Sequence, residues 1–252
     1  MTFRKASPRH PDFYPAEAAG LRWLGQSGAP VVEVLEVDSR RIVLEQLHSV
    51  SPSRAAARVL GTALARMHDA GAGSRFGAPP DGFTGQIFIG SRPMSSREHD
   101  SWGSFYIEER VEPYLRIAVD EGSVRADQLP VIERACELVA SGAFDDGEPP
   151  SRIHGDLWNG NVMWTDRGAV LIDPAAHAGH RETDLAMLAL FGCSYLGEIL
   201  EAYDEAHALR PGWQQRVSLH QLHPLAVHAA GYGPSYGQAL TRAAMDTLRS
   251  FT

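Results

Sequence analysis

Lysine is almost missing from this chain. Of its 23 basic residues only Lys5 is a lysine, and all the others are arginine. Where a generic surface cation will do, this composition uses Arg. Lys5 then either marks a position that suits a compact ammonium better than a planar fork, or is a chance survivor. Cysteine is scarce too. Cys136 and Cys193 stand far apart with no C-x-x-C, which excludes a zinc or redox motif of that kind, and both read as small buried apolar residues. No run approaches the roughly 20 apolar residues of a membrane-spanning helix, so no membrane partner is expected. The N-terminal stretch lacks an apolar signal core, and cytoplasmic residence is the expectation. No basic stripe exists, and the net charge of −8 argues against nucleic acid while suiting a cationic substrate. Gly85 and Gly90 are not followed by Gly-Lys-Ser/Thr, which excludes a Walker-type phosphate loop. No H-E-x-x-H links His177, His180, His220, His223 and His228, so they read as scattered histidines. There is no internal repeat, and nothing sets an oligomeric state.

What is present is an ordinary globular composition, 44% apolar and 21% charged over 252 residues. That is enough chain for one large domain or two small lobes. Periodicity predicts a helix over 11–27, with Pro15 in its first turn and Ala18, Leu21 and Leu24 on one face. Two β-branched runs, 31–37 and 41–47, predict a hairpin. A helix is expected from 52 to 70 and a long loop from 71 to 97. Further helices are expected at 98–120, 127–142, 182–209, 213–231 and 236–250. Between them lie a linker at 143–152, a polar segment at 153–163 and a short strand at 169–173. The layout is α+β, a small α/β piece over 1–48 joined to a mainly helical piece over 49–252.

The polar segment carries the chemistry. It reads Ile153-His154-Gly155-Asp156-Leu157-Trp158-Asn159-Gly160-Asn161, and an apolar strand then delivers Asp173. Phosphoryl transfer needs a carboxylate to orient the attacking hydroxyl and hard oxygen ligands to hold Mg²⁺ on the phosphates. In the protein-kinase loop H-R-D-L-x-x-x-N the Asp is the base and the Asn a metal ligand, and Asp156 and Asn161 have the same separation. The competing reading is an Asx-turn loop in which Asp156, Asn159 and Asn161 are local caps. His154 reads as structural, bonding the loop backbone.

With HGDLWNGN at 154–161, DPA at 173–175 and GHRETDLA at 179–186, the sequence resembles the fructosamine kinase family. These are ketosamine 3-kinases, similar in fold to aminoglycoside phosphotransferases. The resemblance covers nearly the whole chain. It implies a protein-kinase-like two-lobed fold, the cofactors ATP and Mg²⁺, and a small-molecule or protein-bound sugar-amine substrate phosphorylated on its 3-hydroxyl, serving deglycation. Carried over, Asp156 is the catalytic base, and Asn161 and Asp173 hold the metal. Lys5 pairs with the ATP phosphates, with Glu17 as its helix partner. Glu45, Gln46, Leu47 and His48 form the adenine hinge. Trp158 lies beside the sugar or is simply buried. His228 and Tyr236 are substrate-cleft candidates, and Glu182 and Asp184 brace the catalytic loop. The family places a glycine-rich hairpin before the lysine strand. Here the first residue stands just ahead of Lys5, so the expected 1–48 lobe lacks that hairpin. Two alternatives stay open: another small-hydroxyl kinase of this fold, acting on an aminoglycoside or amino alcohol, and a nucleotide-binding module without catalysis.

Overall fold

The computed structural model of the chain describes residues 2–251. Strand β1 (Thr2–Ala6) leads into helix α1 (Phe13–Gly25), then a hairpin of β2 (Val34–Val37) and β3 (Arg41–Glu45). Helix α2 (Arg54–Asp69) precedes a second hairpin, β4 (Ile87–Ile89) and β5 (Arg92–Met94). Next come α3 (Trp102–Phe105), a π-helical segment (Tyr106–Val111), α4 (Glu112–Asp120) and α5 (Leu129–Ala140). The polar centre holds β6 (Ser151–Ile153), a 3₁₀ turn (Asn159–Asn161), β7 (Val162–Thr165), β8 (Gly168–Leu171) and β9 (His177–Gly179). Helices α6 (Arg181–Leu190), α7 (Leu196–Ala206), α8 (Trp213–His220), α9 (Leu222–Tyr232) and α10 (Pro234–Ser250) complete the chain. These elements form two compact units. The first runs to Gly73 and adds Ala78–Ser96 and Pro149–Leu209. The second is Ser74–Gly77, Arg97–Glu148 and the chain from Arg210.

The first unit is built on an antiparallel sheet in the order β1-β3-β2. Its alternation is plain in β3, where Ile42 and Leu44 are buried and Arg41, Val43 and Glu45 are less so. Helix α1 lays Tyr14, Ala18 and Leu21 on these residues, at the spacing of one helical face. Val170 of β8 joins the same core. The main-chain amide of Leu171 donates to Pro30, and that of Val32 donates to Leu171, at 2.7 and 3.0 Å. The chain just ahead of Asp173 is thereby fastened to the segment that leads into β2. Ser53 caps α2 by accepting from the amide of Ala56 at 3.2 Å. Leu60 and Leu64 are fully buried on that helix, each stabilising by about 2 kcal/mol.

The second unit is helical. Its centre is the π-helical segment, where Tyr106 stacks on Trp102 at 4.8 Å and its hydroxyl donates to the carbonyl of His220 at 2.9 Å.

Several boundaries differ from the sequence expectation. The 71–97 loop contains the β4–β5 hairpin, whose three-residue strands are too short to show against the surrounding Gly, Pro and Ser. The 98–120 helix is split because Pro113 has no amide hydrogen for the carbonyl of Glu109. The Arg110 guanidinium takes that carbonyl instead, at 3.0 Å. The 182–209 helix breaks between α6 and α7, where Gly192 and Tyr195 adopt positive φ. The 213–231 helix is likewise two helices, separated at Gln221. The 169–173 strand stops at Leu171, and Asp173 lies beyond it in a left-handed conformation with φ 53°.

Candidate active site

The loop from His154 to Asn161 is held from within. Strand β6 delivers it by pairing with β9, Ile153 opposite His177. Asp184 of α6 is fully buried, and its carboxylate accepts the main-chain amides of His154 and Gly155 at 2.7 and 2.9 Å. His68 of α2 adds a contact at 3.1 Å from Nε2, while its Nδ1 meets the Tyr203 hydroxyl at 2.8 Å. Burial alone would raise the pKa of Asp184. The His68 and His154 contacts outweigh it and hold the carboxyl below its ordinary value. Gly155 is required at its position. Its φ is 78°, and a Cβ there would sit 2.3 Å from the carbonyl oxygen of Ala175. His154 donates from Nε2 to the carbonyl of Ile172 at 2.9 Å, and its Nδ1 accepts the amide of Asp156 at 3.3 Å. Both ring nitrogens are occupied in the loop, and burial lowers its pKa, so the ring acts as a neutral strut.

Asp156 stands on the outer side of this loop. Its Oδ2 and its carbonyl accept the side-chain amide of Asn161 at 3.0 and 2.8 Å. Burial pushes the Asp156 carboxyl up to about 7; the Asn161 bond opposes this, while Asp173 and Asp184 add to it. A carboxyl poised near neutrality can take a proton from a hydroxyl and release it again. The amide nitrogen of Asn161 is spent on Asp156, so its oxygen stays available: it accepts from no described residue. The side chain of Asp173 is 47% exposed. One amide oxygen and one half-exposed carboxylate make the hard donor set that suits Mg²⁺. Asp173 also already carries a cation, because the Lys5 ammonium is bonded to it. The left-handed backbone of Asp173, immediately before Pro174, costs about 1–3 kcal/mol.

Lys5 joins two carboxylates. It meets Asp173, and it donates to Glu17 at 2.8 Å. Burial lowers the pKa of Lys5, and the two carboxylates more than offset this, leaving it above its ordinary value. Helix α1 reaches this place through Gly20. A Cβ there would lie 3.0 Å from that of Ala176 and 3.3 Å from Pro174. The close approach lets Glu17, almost one turn earlier on α1, face the segment that bears Asp173.

The remaining candidates are less concentrated. Glu45 ends β3 opposite Thr2 and is bound by Arg167 at 2.8 Å. Gln46, Leu47 and His48 follow it, outside the sheet's ladder. Trp158 is 40% exposed, with its ring edge-on to Phe191 at 6.1 Å. Glu182 is buried in the first turn of α6. His228 and Tyr236 belong to the second unit, with their rings 5.0 Å apart. Sequence reasoning missed His68. Its one signal was a histidine beside the buried Met67 on the apolar side of α2.

The chain matches known proteins along nearly its full length. Residues 3–250 match the family described as fructosamine kinase. An Enterococcus faecium protein named a probable ketoamine kinase is 30% identical over 227 residues, 89% of this chain and 79% of that protein. A solved structure from Thermobifida fusca, assigned as a fructosamine-3-kinase, superimposes with a TM-score of 0.91 at 45% identity. It covers 98% of this chain and 85% of that one. A choline/ethanolamine kinase family protein from Mesorhizobium loti shares the protein-kinase-like fold, with a TM-score of 0.64 at 17% identity over 99% of this chain and 86% of that one. Among the described residues no helix is long and apolar enough to cross a membrane.

Proposed function

Because this chain belongs to the fructosamine kinase family, we propose that it transfers the terminal phosphoryl group of ATP to the 3-hydroxyl of a ketosamine. The observation that carries this reading is the pairing of Asp156 with Asn161 on a braced loop, with Lys5, Glu17 and Asp173 bonded together in the same unit. Asp156 orients the acceptor hydroxyl and takes its proton. Asn161 and Asp173 would hold Mg²⁺, which neutralises charge on the phosphates. Lys5 exchanges its bond to Asp173 for a phosphate oxygen while Glu17 keeps it in place. The backbone of Glu45, Gln46, Leu47 and His48 forms the edge for the adenine. Trp158 offers a flat apolar face to the C–H side of the sugar. Glu182 and Asp184 keep the loop in shape. A 3-phosphorylated ketosamine then breaks down and frees its amine, so the biological outcome is deglycation.

The test is ADP release by the purified chain with Mg²⁺·ATP and fructosyl-, ribulosyl- or erythrulosyl-lysine, with choline and an aminoglycoside as comparators. Phosphorus NMR then locates the phosphate on the product. Turnover of at least one ketosamine with a 3-phosphate product is expected. Turnover of choline or the aminoglycoside alone would contradict the proposal.

A further inference from the structure

The helical unit carries a groove that plays no part in the chemistry above. It lies between α4 and α5, with a volume of about 510 Å³, within the usual size of ligand sites. Its floor is apolar, with Ile107, Leu115 and Cys136 at its base. Its lining is also acidic, contributed by Glu112, Asp120, Glu133 and Glu137. The one cation of the lining, Arg116, is taken by Glu112 at 2.8 Å. The side chains of Asp120, Glu133 and Glu137 have no hydrogen bond or ion pair among the described residues. Glu133 and Glu137 stand one turn apart on α5, an arrangement that opposes helix formation unless a cation joins it. Burial, with Glu112, Glu133 and Glu137, pushes the Cys136 thiol up to about 12.

The negative lining selects a cation, and the floor selects one with an apolar body beside it. Spacing narrows the choice further. Glu112, whose exposed ion pair with Arg116 is weak enough to exchange, and Asp120 sit at the two ends of α4, roughly 12 Å apart at 1.5 Å per residue. A single ammonium cannot serve both. An extended chain advances about 3.3 Å per residue and alternates its side chains, so cations four positions apart share a face and come near that span. A second copy of this chain is a poor occupant, because its own net charge is −8. We propose that the groove docks an extended basic polypeptide segment, whose lysines face the carboxylates while an apolar side chain between them enters the floor. This groove shares no residue with the phosphoryl-transfer site, and the inference does not depend on the substrate assigned to that site.

Fluorescence anisotropy tests it without ATP or turnover. The probe is a labelled eight-residue peptide with two lysines four positions apart and leucine between them. The unmodified chain binds this peptide, and the lysine-acetylated peptide does not bind. The exposed pair Glu133→Gln/Glu137→Gln weakens binding about three- to tenfold, the range for two partly exposed ion pairs. The pair Glu98→Gln/Asp166→Asn, with the same charge change outside the groove, weakens it less than about twofold, because screened distant charges act weakly. The proposal is overturned by absence of peptide binding, or by equal weakening in the two pairs. It is also overturned if hexylamine competes as well as the peptide does, which would make the groove a small-amine site.

Discussion

Two walls of one loop hold the same side chain in opposite states. On the inner wall, Asp184 has no exposed surface, yet its carboxyl lies below the ordinary range. On the outer wall, Asp156 keeps some exposure, yet its carboxyl is pushed up to about 7. Burial acts in the same direction on both. The difference lies in the donors and charges around each. Asp184 receives two main-chain amides and lies beside His68, whereas the Asp156 carboxylate is held by the side-chain amide of Asn161. A carboxylate with several fixed donors stays charged and becomes a structural brace, while one left under-supplied can pick up a proton. The surroundings of the loop therefore set two aspartates apart with no change of residue type.

The sharpest break of this comparison is catalytic. Asp156→Asn keeps the shape and the Asn161 contact but removes the proton acceptor. Turnover on a ketosamine falls by about 10²–10⁴, the range for a positioned base, and near-parental turnover would remove Asp156 from the chemistry. On the inner wall the same change acts on folding. Asp184→Asn leaves one loop amide facing an amide nitrogen, and it costs about 3–5 kcal/mol of stability in urea denaturation. A loss below about 1 kcal/mol would show that the brace is dispensable.

Lys5→Arg tests the cationic side of the site. The charge is kept, but a planar guanidinium does not fit the place of an ammonium between Glu17 and Asp173. Turnover drops about tenfold or more, and parental kinetics would make the lone lysine an accident of composition. A smaller effect concerns pH. The folded pKa of Asp156 is raised above its ordinary value of 3.8, so its contribution is complete below that value and is lost as pH rises through about 7. Asp156→Asn does not carry this loss. The variant is therefore stabilised relative to the parent by about 1–3 kcal/mol at pH 8, and by much less at pH 5. Thermal melts of both proteins at the two pH values check the sign.

The loop from His154 to Asn161 was legible because its information is local. His154, Gly155, Asp156 and Asn161 lie within eight positions, and their spacing carries the donor and acceptor types with it. The Lys5–Glu17–Asp173 cluster was legible only through family resemblance, since nothing in residues 1–20 points to a carboxylate far along the chain. The role of His68 was hidden for the same reason. Its partners, Asp184 and Tyr203, come from α6 and α7, and only tertiary packing brings them to α2. Helix faces such as Ala18, Leu21 and Leu24 were readable from period, whereas breaks were not. The split at Pro113 had a local signal in the missing amide hydrogen of proline, but the π-helical turn ahead of it, where Arg110 takes the carbonyl left over, had none. The left-handed turn at Asp173 was likewise invisible, because an apolar run before an Asp-Pro reads as a strand to its end.

The opposed protonation of the two walls can be measured directly. Carbon-13 NMR of the metal-free protein, with carboxyl-labelled aspartate, follows each side chain between pH 3 and 9. Asp156→Asn and Asp184→Asn identify the two resonances by their disappearance. The account predicts that the Asp156 signal titrates near pH 7 and that the Asp184 signal titrates below the ordinary carboxylate range. An Asp156 midpoint near 4, or an Asp184 midpoint above that of Asp156, would contradict it.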